Sequence, residues 1–92
     1  MKITNMNELI RNENLTIRKL EETYYFIIGG EAYEANELGA TIVNASGRDL
    51  PIVELCNRVS DKYNFDDIDQ IKADVEDYVD FLLSEGILIN EQ

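Results

Sequence analysis

Apolar and polar positions alternate over the first third of the chain and recur at helical spacing over the rest. Leu15 and Ile17 alternate with Thr16 and Arg18, which predicts a half-buried strand over Leu15–Leu20. Glu21–Thr23 turns the chain. Tyr24–Ile28, rich in aromatic and β-branched residues, is the clearest strand. Gly29-Gly30 supplies the positive backbone angles of a tight hairpin. Glu31–Ala35 then returns as a third strand, with Tyr33 and Ala35 on one face and Ala32 and Glu34 on the other. Asn36 stands at the N-cap of a helix from Glu37 to Ala45, whose apolar face is Leu38, Ile42 and Ala45. Gly47 suits a left-handed C-cap, and Pro51 the first turn of a second helix. That helix carries Ile52, Leu55, Cys56 and Val59 at helical spacing and runs to about Tyr63. Asp66 or Asp67 caps a third, whose stripe is Ile68, Ile71, Val75, Tyr78, Val79 and Leu82. Gly86 ends it, and Ile87-Leu88-Ile89 either packs back or forms a wing strand.

The order is three strands and then three helices. It predicts an α+β, winged-helix-like fold, a three-stranded antiparallel sheet followed by a three-helix bundle. Residues 1–14 are polar and asparagine-rich, with Met6, Leu9 and Ile10 as their apolar cluster, and read as a loosely ordered lead-in of at most one helical turn to a domain over 15–92. A three-stranded meander has two edges, and Glu31–Ala35 is expected to be one of them. Unpaired N–H and C=O groups on such an edge offer a place for an extended peptide to add as a strand.

Composition narrows the chemistry. Ninety-two residues at 45% apolar content make one domain with one modest core. Nineteen acids against eight bases give a net charge of −11, which opposes nucleic acid and anionic membrane surfaces and favours a partner with a basic face. The start of the chain lacks a signal-peptide pattern, and no apolar run reaches the length of a membrane span, so a cytoplasmic location is expected. Cys56 is the only cysteine and histidine is absent; no intramolecular disulfide and no histidine–cysteine zinc cluster can form. The acids from Asp66 to Asp80 do not make an EF-hand, because the sixth loop position would be Lys72 or Ile71 instead of glycine. Gly29-Gly30 lacks the lysine and spacing of a phosphate loop. Cys56 lies on an apolar helix face without a basic partner, as a packing residue does. No cofactor and no catalytic residue is expected.

The junction Ala35-Asn36-Glu37-Leu38-Gly39, the turn at Gly47, and Asp74-Val75 through Leu82 to Gly86-Ile87-Leu88 resemble the PqqD-like family of RiPP recognition elements, over roughly Leu15 to Ile89. The chain departs from the pyrroloquinoline-quinone members at Ala35, where they have a large aliphatic residue, at Ile42-Val43, where an aromatic is common, and at Ser46, where an acid precedes the glycine. The resemblance implies a non-enzymatic domain that binds the leader of a ribosomally made precursor peptide. It would present that precursor to a modifying enzyme such as a radical SAM maturase or a leader peptidase. It further implies that the leader lies antiparallel to the Glu31–Ala35 strand, in a groove bordered by the third helix. Carried over by position, the peptide-binding residues are Glu31, Ala32, Tyr33, Glu34 and Ala35 on the strand and Asp74, Tyr78, Phe81 and Glu85 on the helix.

Three other functions fit the size or the order of elements. An acyl or peptidyl carrier needs a serine for phosphopantetheine at the start of its second helix, and Ser46, Ser60 and Ser84 lie in other contexts. A winged-helix DNA reader needs basic residues on its recognition helix, where Lys72 is the only base among many acids. A winged-helix adaptor for another protein, outside peptide maturation, is the principal alternative.

Overall fold

The computed structural model describes residues 3–91. Its elements are a 3-10 turn at Met6–Glu8, β1 (Leu9–Arg11), β2 (Thr16–Leu20), β3 (Thr23–Ile28), β4 (Glu31–Ala35), α1 (Glu37–Ala45), α2 (Ile52–Tyr63), α3 (Ile68–Ser84) and β5 (Leu88–Asn90). The fold is α+β, with the antiparallel sheet β2-β3-β4 preceding the three helices as the pattern predicts.

Two-residue loops set the register of this sheet. Gly29 and Gly30 have φ of 58° and 81°, the left-handed pair that lets a hairpin turn follow the twist of its strands. Ile17, Phe26 and Tyr33 lie opposite one another and share a face. Phe26, with no exposed surface, joins Ala35 and the apolar faces of the helices in one core. On the other face Arg18, Ala32 and Glu34 are exposed, with Tyr25 and Ile27 half-buried between them.

Each helix begins where the sequence places a cap. The Asn36 side chain accepts from the Gly39 N–H at 3.0 Å, and the Asp67 side chain from the Gln70 N–H at 3.1 Å. Pro51 is the N-cap residue of α2, one position before the predicted first turn, with ψ of 145°. Ile68 opens α3 at 36% exposure, so the buried stripe proper begins at Ile71.

Residues 3–14 differ from the loose lead-in that their composition predicts, while Met1 and Lys2 lie outside the described residues. The Met6 N–H donates to Leu50 O at 2.8 Å, the Ile52 N–H to Thr4 O at 2.9 Å, and the Gly47 N–H to Met6 O at 2.9 Å. Met6 and Leu9 are fully buried. β1 pairs antiparallel with β5, so the C-terminal apolar segment forms its strand in a second, two-stranded sheet. Backbone bonds to residues some forty positions away hold this segment, and composition or periodicity carries no trace of such bonds.

Candidate functional site

β4 is an edge strand, and its register decides which backbone groups are free to pair. Ile28 and Glu31 flank a two-residue loop and so exchange hydrogen bonds with each other. Alternation along the strand then turns the amides of Tyr33 and Ala35 inward, toward Phe26 and Tyr24. The N–H and C=O groups of Ala32 and Glu34 point the other way, into the open edge.

α3 runs beside this edge and supplies the opposite wall. Phe81 meets Tyr33 edge to face, with ring centroids 6.1 Å apart and planes at 77°, and meets Tyr78 similarly at 6.2 Å and 82°. Phe81 is 40% exposed, so the cluster is anchored from below and open above. Gly39 of α1 provides the floor: a Cβ added there would fall within the Tyr78 ring. Beside this wall, between the start of α1 and α3, lies a depression of ≈ 440 Å³ lined by Asn36, Leu38, Asp74, Asp77, Tyr78 and Phe81.

One end of the groove is acidic. The Tyr33 hydroxyl lies 2.6 Å from Glu31 Oε2 and 2.8 Å from Glu85 Oε1, so two carboxylates converge on a single donor proton. The hydrogen bond to Glu31, followed by that to Glu85, holds the phenol well above the usual tyrosine range. At the other end, Lys62 at the close of α2 reaches Glu37 at the start of α1, with N···O at 2.9 Å. The hydrogen bond from Lys62 and its charge lower the Glu37 carboxyl, and the same pairing raises Lys62. Away from the groove, Cys56 is buried in the core, and burial pushes its thiol up.

Asp74, Tyr78 and Phe81 therefore line one depression, and Tyr33, against Phe81, carries its wall on to Glu31 and Glu85 at the acidic end. Ala32 and Glu34 contribute backbone at the edge, while their side chains project to the opposite face of the sheet. Ala35 has its amide turned inward and its side chain 7% exposed, and it lines a shallow depression with Glu34, Asn36 and Tyr78 where β4 meets α3. Asn36, Leu38 and Asp77 line the groove without having been singled out as site residues. Periodicity assigns Leu38 to the core and Asp77 to a solvated helix face, and their part in the groove appears only once α1 is packed on α3.

A family model described as coenzyme PQQ synthesis protein D (PqqD) matches residues 14–88. No curated protein and no solved structure matches the chain significantly.

Proposed function

The chain belongs to the PqqD family, and on that premise we propose that it binds the leader of a ribosomally made precursor peptide by strand addition to β4 and delivers it to a modifying enzyme. The family binds precursor peptides and works beside such enzymes. The observation that carries the reading for this chain is the pairing of an open strand edge with an aromatic wall. Ala32 and Glu34 present free donors and acceptors, and side chains of an added strand that lie opposite Tyr33 and Ala35 fall against Phe81, Tyr78 and Leu38.

No step of this function requires bond-making by the domain, and it is proposed to act without catalysis and without a cofactor. Holding the leader raises the effective concentration of the core peptide at the enzyme, on the order of millimolar for a short tether. The radical SAM maturase or leader peptidase that would use it acts in the cytoplasm, where the lone Cys56 stays reduced.

The test uses the precursor peptide encoded in the same gene cluster and the variant Glu34→Pro. Proline removes an N–H that points away from the sheet, a change that edge strands tolerate. The variant should keep its circular dichroism spectrum and melting temperature and bind the precursor at least about tenfold more weakly. Equal affinity for both proteins would rule out strand addition at this edge. A cluster precursor that binds neither protein would leave the adaptor alternative in its place.

A further inference from the structure

The groove does not end with β4. Beyond Ala35 it continues into a second depression, of ≈ 300 Å³, walled by Leu38, Val59, Tyr63, Phe65 and Ile71 and sharing Asn36, Leu38 and Asp74 with the first. Its lining is mostly apolar and also includes Glu37, the partner of Lys62. Tyr63, the last residue of α2, and Phe65, in the turn that follows, are 41% and 46% exposed. That turn is well fixed: Asn64 takes the left-handed conformation at φ 55°, the Phe65 N–H donates to Ser60 O at 3.2 Å, and Ser60 Oγ donates to Phe65 O at 2.6 Å. The pocket thus exists before anything enters it, and filling it costs little ordering of the protein.

We infer that this pocket receives a large apolar side chain of the bound peptide, four residues before the one that meets Phe81. The inference rests on the strand-addition reading and extends it to a specificity site. A peptide antiparallel to β4 runs toward its own N-terminus as β4 runs toward Asn36, so the residues preceding the paired segment pass over the pocket. Phe81 and Ile71 are ten residues apart on α3, about 15 Å at the rise of a helix. An extended peptide covers that distance in roughly four to five residues. Only every second side chain faces α3, which selects the fourth. The same alternation places the residue two before at Leu38 and Tyr78. The peptide class is therefore one with large aliphatic or aromatic residues at positions i−4 and i, and the occupant of the pocket is the i−4 side chain.

Dodecapeptides selected from a random phage-displayed library on the immobilised protein serve as probes, titrated by fluorescence anisotropy. Position i is the peptide residue whose change to serine abolishes sensitivity to Phe81→Ala. Each parent peptide and its i−4 serine version are then titrated against wild-type and Phe65→Ala protein, with folding followed by circular dichroism. Phe65→Ala should weaken the parent roughly tenfold and leave the serine version unaffected. If Phe65→Ala spares the parent, or weakens both peptides equally, while Phe81→Ala still weakens binding, the pocket assignment falls and the groove stands. Peptides insensitive to both Phe65→Ala and Phe81→Ala overturn the groove as well.

Discussion

Gly39 is explained by the side chain across from it rather than by its own backbone. It lies inside α1, where glycine costs about 1 kcal/mol relative to alanine and a stabilising substitution would ordinarily be expected. The Tyr78 ring occupies the space that a Cβ would need. Tyr78 in turn supports Phe81, whose other neighbour is Tyr33, so the groove's aromatic wall is built outward from this one missing methyl group. Gly39→Ala must push the ring aside, and overpacking at a well-filled contact costs about 1–3 kcal/mol, enough to offset the gain in helix propensity. The expected result is a lower or unchanged urea midpoint, with precursor binding weakened by a displaced Tyr78. A variant that is about 1 kcal/mol more stable and binds normally would mean that Tyr78 has room to move. The residue is visible in the sequence as part of the Ala35–Gly39 junction, but the reason for it is a contact between two helices.

At the level of elements, the chain divides into parts whose order is written locally and parts whose order is not. The strand Glu31–Ala35 and the helix Glu37–Ala45 have the limits expected from Gly29-Gly30, the Asn36 cap and the apolar spacing, because hairpin turns and helix caps are settled by neighbours in sequence. The line Asp74, Tyr78, Phe81 was readable for the same reason, since helical spacing alone puts those residues on one side. β1 was not readable, and the 3-10 turn was legible only as one helical turn in a loose segment: Asn5, Asn7 and Asn12 give the segment a loop's composition, while its bonds run to Leu50, Gly47 and Ile87. The pocket at Phe65 stayed hidden too, because three helices must meet to form it. The difference can be measured. Leu9 is fully buried against the core, so Leu9→Ala should cost about 2–5 kcal/mol in urea unfolding, as deletions of buried leucine do. A loosely ordered lead-in would lose less than about 0.5 kcal/mol, the range of an exposed substitution.

Over the whole molecule, the distribution of charge gives the groove a direction. The edge strand β2 carries Arg18 and Lys19, whereas the β4 side carries Glu31, Glu34, Asp74, Asp77 and Glu85 within a chain of net charge −11. An antiparallel peptide leaves the groove C-terminally past Glu31 and Glu85, where one phenol proton serves two carboxylates. A lysine or arginine opposite Glu31 would supply the missing donors, and the core peptide and its enzyme would lie beyond the Gly29-Gly30 hairpin. Exposed charges of this kind act mainly on encounter, because the Debye length shrinks from roughly 14 Å at 50 mM salt to about 4 Å at 500 mM. On the proposed reading, apolar contacts with Phe81 would govern dissociation and respond little to salt. Stopped-flow measurements with a basic precursor should accordingly show the association rate falling by about tenfold over that range, with dissociation within about twofold. Glu85→Gln should flatten that dependence while leaving the apolar contacts in place. Association rates that ignore salt, or that fall equally for wild type and Glu85→Gln, would show that the acidic end of the groove does not guide the peptide.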